Sequence, residues 1–303
     1  MNFHFDGIGY MGLEVDDLEV WRDFCVNVLG MSDVTGSPVV FGNEEEAYFK
    51  ADDRAFRYRV KQGSNSGLTT LGFDVRDEEA LEHLVSQLQA AGHEPREAEA
   101  EVCARRGVSR MVTLTDPEGI ELEFVYGAII DGAPKAHPQS MDFFTEHGFG
   151  HVVLMTPNPE PMLELYRKGL GFRVSDYIRF GENGGVDFLR SGPRHHSVAI
   201  SCAGPSRGTH HIAVQLKDVD QVGKVLDRVM DRGYEITASL GRHKNDRMLS
   251  FYMRGPSGFD VEVGCDALLI DERTWHVRQD AAGDLWGHRG LSSESLQKRE
   301  ESA

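Results

Sequence analysis

The sequence predicts an α+β protein made of four βαβββ modules, two in each of two homologous halves. Three observations carry this expectation: segments that recur at a near-constant spacing, hydrophobic periodicity that switches between strand-like and helix-like within each half, and turn residues at the joints. "GIGYMGLEV" at 7–15 is echoed by "GFGHVVLMT" at 148–156, which sets Tyr10 against His151 at an offset of 141 (151 − 10). The same offset lays Gly30 of "VLGM" on Gly171 of "GLGF", and Gly92 of "AAGHEP" on Gly233 of "DRGYEI". Near the end of each half, "DPEGIELEF" at 116–124 answers "GPSGFDVEV" at 255–263, now offset by 139 (258 − 119).

Taken in order, "IGYMGLEV" alternates like a strand, and "DLEVWRDFCVNVLG" spaces Val20, Phe24 and Val28 like a helix face before stopping at Gly30. "TTLGFDV" is the next strand. "DEEALEHLVSQLQAAG" is the next helix, with acids in its first turn and Gly92 as its stop. Short strands follow and end in "RMVTLTDPEGIELEFVYG", where Asp116 to Gly119 supply a hairpin turn. The expected organisation is a first domain over 1–135, a Pro-rich polar connection over 136–147, a second domain over 148–290 and a disordered charged tail over 291–303.

Composition narrows the function. A formal charge of −17 leaves no broad basic surface for a phosphate backbone, so nucleic acid is not an expected partner. No apolar run approaches the roughly 20 residues of a membrane span, and "MNFHFDGIGYMGLEV" lacks the basic and apolar regions of an export signal. A cytoplasmic protein without membrane contact is therefore expected. Cys25, Cys103, Cys202 and Cys265 stand far apart with no CxxC pair, which points to buried structural thiols.

The duplication allows the halves to be compared for chemistry. His151 stands against Tyr10 and His211 against Thr70, whereas Glu262 stands against Glu123, so only the second half has both histidines and the carboxylate. Two imidazoles and a carboxylate from three strands can occupy one face of an octahedron, the facial triad of non-haem Fe(II) oxygenases, so the second domain is expected to be catalytic and the first metal-free. Strand alternation places Val153 on the His151 side and Asp260 on the Glu262 side, with the ligand-bearing faces turned to a cavity. Taken singly, each histidine reads more readily as a hydrogen-bonded core or surface residue; the set carries the argument.

The whole chain resembles the type I extradiol ring-cleavage dioxygenases of the vicinal oxygen chelate superfamily (the glyoxalase, bleomycin-resistance and dioxygenase fold), in particular those acting on 2,3-dihydroxybiphenyl and related bicyclic or steroid catechols. The family signature appears as Gly241, His243, Phe251, Tyr252, Pro256, Gly258 and Glu262, with Gly255 as a departure before the proline. "GHVVL", "PRHHSVAI", "THHIAV" and "WGHR" add to it in the second half, and "GYMGLEV" and "RRGV" in the first. The resemblance implies Fe(II) at His151, His211 and Glu262, with Mn(II) as the alternative ion and dioxygen as co-substrate. His211 is chosen over His210 because it precedes "IAVQ", and strand alternation is expected to point the two to opposite faces so that only one of them can ligate. His196 is implied as an acid/base residue beside dioxygen, His243 and Tyr252 as contacts to the catechol hydroxyls, and Asn245 and Asp246 as supporting residues. Phe188 is a candidate wall for the second ring and equally a candidate for core packing, and Trp275 and Trp286 are expected to pack so as to close the cavity.

The implied function is extradiol cleavage of a substituted, bicyclic or bulky catechol, giving a yellow hydroxy-oxo-dienoate. A homo-oligomer, up to an octamer, is implied as well. Competing readings are a steroid-catechol dioxygenase, a glyoxalase-type isomerase or thiol transferase with a more carboxylate-rich metal site, and a metal-free protein that sequesters an aromatic compound.

Overall fold

A computed structural model of the chain describes residues 4–37, 40, 45–132, 139–180, 184–279 and 283–291. Its contacts divide the chain into two compact units, Met1–Phe149 and Gly150–Ala303. Of the connection expected at 136–147, residues 136–138 lie outside the described residues. From Gln139 onward the chain packs within the first unit, where the Met141 amide donates to Gly30 O and the Phe149 amide to Ile8 O. Residues 292–303 of the expected tail also lie outside the described residues.

The first unit runs β1 (Phe5–Val15), α1 (Leu18–Asp23), β2 (Ser32–Asp33), β3 (Glu46–Lys50), β4 (Tyr58–Gln62), β5 (Gly67–Val75), α2 (Glu78–Ala90), β6 (Arg96–Glu97), α3 (Ala100–Arg106), β7 (Arg110–Thr115) and β8 (Glu121–Tyr126). Among the described residues these strands form one mixed sheet in the order β2-β3-β4-β1-β5-β8-β7-β6. Asp77 caps α2 by accepting from the Ala80 amide at 2.7 Å, and the helix buries Ala80, Leu81, Leu84 and Leu88. Two details differ from the sequence reading. The first helix buries Leu18 and Trp21 and continues through a wider π-helical turn that buries Phe24, Cys25 and Val28, while Val20 is 43% exposed. The stretch read as short strands after Gly92 contains α3, which ends at Gly107 in the left-handed region.

The second unit repeats the plan: β9 (His151–Met155), α4 (Pro159–Glu164), β10 (Arg173–Phe180), β11 (Gly184–Arg190), β12 (Val198–Cys202), β13 (Gly208–Gln215), α5 (Val219–Asp231), β14 (Ile236–His243), β15 (Leu249–Arg254) and β16 (Asp260–Cys265). Two short strands, β17 (Arg278–Gln279) and β18 (Asp284–Trp286), extend the sheet to the order β17-β10-β11-β12-β9-β13-β16-β15-β14-β18. No helix among the described residues is long and apolar enough to cross a membrane.

Strand register explains the repeat at atomic level. His151 pairs with Ala213, Ala213 with Glu262 and Glu262 with Tyr252, so one row of side chains crosses β9, β13, β16 and β15 on one face. In the first unit the equivalent row is Tyr10, Gly72, Glu123 and Thr113. Gly72 is required there: a Cβ would lie 2.3 Å from the Tyr10 ring, which fills the space with a phenol.

Candidate active site

In the second unit the row of paired residues opens on a cavity of about 300 Å³. At one end, His151 Nε2 stands 3.0 Å and His211 Nε2 3.4 Å from Oε2 of Glu262, and the two nitrogens are 3.3 Å apart. All three side chains are buried. A triangle of that size lets one cation with bonds of about 2.0–2.2 Å reach all three donors, and two neutral imidazoles with a carboxylate suit a first-row divalent ion. Burial alone would raise the Glu262 carboxyl, but hydrogen bonds from His151, His211 and His243 hold it well below the usual range. Burial lowers His211, which keeps its imidazole neutral and able to donate a lone pair.

The other residues singled out in the sequence line the same cavity: Val153, Phe188, His196, His243, Asn245, Asp246 and Tyr252. His243 Nε2 is 2.8 Å from the Tyr252 hydroxyl and 3.3 Å from Glu262 Oε1. Burial would lower His243, yet the hydrogen bonds to Asp284 and Glu262 push it up to about 10. Burial, and then the charge of Glu262, raises Tyr252 well above the ordinary phenol. The His196 ring lies 4.0 Å from that of His151 and 5.0 Å from Phe188, and burial with the neighbouring histidines lowers it well below the usual imidazole. Asp246 accepts from the Met248 amide and brings Oδ2 to 3.9 Å from His196 Nδ1.

Two expectations are corrected. Strict alternation would turn His210 away from His211, but a bulge between Thr209 and His211 puts both on the cavity wall, with their Nδ1 atoms 2.7 Å apart. Neither Trp275 nor Trp286 closes the cavity. Trp286 is 50% exposed, and the Trp275 indole donates to Ser175 O behind the wall. The closing residues near the end of the chain are Gly283, Asp284 and Leu291.

Sequence reading missed Asp284 and His288. Asp284 Oδ1 lies 2.7 Å from His243 Nδ1 and 2.7 Å from His288 Nδ1. The "WGHR" motif held part of that signal. Gly241 makes the arrangement possible, since a Cβ there would stand 2.4 Å from His288 N and 2.7 Å from its ring. Ile178, Val186 and Leu291, which complete the apolar wall, were also missed.

Residues 148–263 match the family model described as the glyoxalase/bleomycin resistance protein/dioxygenase superfamily, and residues 8–63 match dihydroxybiphenyl dioxygenase BphC D1. The iron-dependent extradiol dioxygenase of Rhodococcus jostii (strain RHA1) is 35% identical over 292 residues, covering 93% of this chain and 96% of that protein. The chain belongs to the extradiol dioxygenase family. It is therefore an oxidoreductase of the dioxygenase class. Among other extradiol dioxygenases, the biphenyl-2,3-diol 1,2-dioxygenase of Paraburkholderia xenovorans (strain LB400) is 35% identical over 296 residues, with 94% of this chain and 95% of that protein covered. The crystal structure of a halotolerant catechol dioxygenase superposes with a TM-score of 0.87 at 31% identity, covering 95% of each chain. A Mn(II)-bound glyoxalase from Novosphingobium aromaticivorans shares the fold, with a TM-score of 0.77 at 21% identity over 96% of this chain and 94% of that one.

Proposed function

We propose that this extradiol dioxygenase cleaves a catechol bearing an uncharged, bulky apolar substituent, such as 2,3-dihydroxybiphenyl, next to rather than between its hydroxyls. One observation carries the reading: a buried His151, His211 and Glu262 triangle opens on a cavity also lined by the apolar side chains of Val153, Ile178, Val186, Phe188 and Leu291. No Lys or Arg lines it among the described residues, and the His243 imidazole, pushed up to about 10, is already paired with Asp284 and Glu262, so a carboxylate on the substrate would meet no cation left over for it. A volume near 300 Å³ falls in the range that encloses a ligand larger than one ring. The names of relatives that act on biphenyl-2,3-diol support the same choice.

His151, His211 and Glu262 would hold Fe(II), which supplies the redox pathway and Lewis acidity that a reaction between dioxygen and a catechol needs. The chain's own groups do the rest. His243 and Tyr252, hydrogen-bonded to each other beside Glu262, face the catechol hydroxyls, orient them and stabilise the loss of a proton. His196, packed against His151 and Phe188, takes up and returns a proton during cleavage. Phe188 and the aliphatic wall exclude water and position the second ring.

The first unit serves as scaffold. There Glu123 is committed to Arg106, whose Nη2 and Nε lie 2.7 and 2.9 Å from its oxygens, and to the Tyr10 hydroxyl. A guanidinium thus supplies the positive charge beside Glu123, which supports reading this half as metal-free.

The test is to load the chain with Fe(II) without oxygen, mix it with 2,3-dihydroxybiphenyl, catechol, a carboxylate-bearing catechol or a steroid catechol, and admit air. A yellow ring-opened product with the highest kcat/KM for 2,3-dihydroxybiphenyl is expected. Preference for the carboxylate-bearing or steroid catechol would overturn the substrate reading, and iron-loaded protein without oxygen uptake would overturn the reaction.

A further inference from the structure

Behind the cavity wall, two side chains outside the proposed machinery form a buried pair. Asp176 on β10 places Oδ2 2.9 Å from Nε2 of His195, and each residue is 1% exposed. The other carboxylate oxygen, Oδ1, accepts the Arg278 amide at 3.0 Å, where β17 pairs with β10. The Trp275 ring meets the His195 ring edge to face at 5.7 Å. Nδ1 of His195 then lies 3.2 Å from Nδ1 of His196, with the two rings perpendicular.

Hydrogen-bonding capacity gives this chain a direction. An ionised carboxylate only accepts, so a neutral His195 keeps its proton on Nε2 and turns the lone pair of Nδ1 toward its neighbour. His196 must then donate from Nδ1. Its Nε2 is left without a proton, the form a base requires. The remaining acid near Nδ1 is Asp246, at 3.9 Å, beyond a direct hydrogen bond.

We propose that Asp176 and His195 are positioning residues that hold His196 in the tautomer protonated on Nδ1, so that its bare Nε2 serves the reaction. The proposal rests on the reading of His196 as the acid/base group. Neither residue touches the substrate cavity. Their effect passes through the hydrogen bond between adjacent imidazoles.

Proton–nitrogen correlation spectra of the full chain, labelled at histidine nitrogens and loaded with diamagnetic Zn(II) in place of iron, test it directly. The His196 signals are assigned by their loss in His196→Gln. Wild-type protein should show His196 with a protonated Nδ1 and a bare Nε2, and His195 with the opposite tautomer. In Asp176→Asn that single pattern should give way to mixed tautomers. With iron, kcat in Asp176→Asn should fall at least about 10-fold, less than the roughly 10²–10⁴-fold loss of His196→Gln, while KM holds. A wild-type spectrum with His196 protonated on Nε2, or with His195 doubly protonated, would overturn the proposal even if Asp176→Asn failed to fold. An Asp176→Asn spectrum identical to wild type would also overturn it. Full turnover in His196→Gln would instead overturn the acid/base reading beneath it.

Discussion

His243 and His288 hydrogen-bond through their Nδ1 atoms to the same oxygen, Oδ1 of Asp284, and their rings lie 4.1 Å apart. Residue 284 comes from β18, a short strand laid on the edge of β14, so a late segment of the chain orients an imidazole whose other nitrogen faces Tyr252 and Glu262. His288 adopts a φ of +45° to complete the arrangement, a backbone cost that the surrounding contacts must offset.

Removing that carboxylate should disorient His243. Asp284→Asn is expected to lower kcat/KM about 10–100-fold while iron content stays at the wild-type level. Steady-state oxygen uptake with parallel metal analysis checks it; normal turnover would show that His243 needs no such partner.

Loss of one donor from a three-donor site should cost more than loss of an outer partner. His211→Ala is expected to weaken Fe(II) binding by more than about 100-fold and to abolish catechol-dependent oxygen uptake. Anaerobic binding titration measures the first and an oxygen electrode the second. Glu123→Ala in the first unit should leave iron content unchanged, and a fall would end the scaffold reading of that half.

Arg106 and Glu123 form a buried ion pair with side-chain exposures of 9% and 1%. Arg106→Ala should therefore destabilise the first unit by about 3–5 kcal/mol, because it strands a carboxylate away from water. The Arg106→Ala, Glu123→Ala double variant should recover part of that loss in denaturant unfolding. Equal stability of the single and double variants would mean the carboxylate is not stranded.

Phe188 lies against His196 on the wall facing the proposed second ring. Phe188→Ala should raise KM for 2,3-dihydroxybiphenyl about 10-fold or more and leave that for catechol unchanged. Equal effects on both substrates would place Phe188 in structure rather than in specificity.

How much of this was legible depends on the range of the interaction. The repeat, the helix stops at Gly30 and Gly92 and the hairpin at Asp116 are local patterns, so they could be read directly. Val20 was misassigned because Leu18, Trp21, Phe24, Cys25 and Val28 form the buried stripe of this segment and leave Val20 on its outer side. The helix carrying Arg106 was missed because a seven-residue segment shows too little periodicity to separate it from short strands.

The α+β modules, their duplication and the residue types available to a metal could be read from the chain alone, because they rest on periodicity and matched spacing, while the signature motif around His243, Tyr252 and Glu262 carried the resemblance to extradiol dioxygenases. It took the folded chain to reveal that β9, β13, β16 and β15 place His151, Glu262 and Tyr252 in one row, and that a bulge brings His210 to the wall beside His211. The fold also sets Asp284 against His243 and Asp176 behind His195. These contacts join positions dozens of residues apart, and the geometry of strand pairing, rather than any nearby pattern of side chains, brings them within a hydrogen bond.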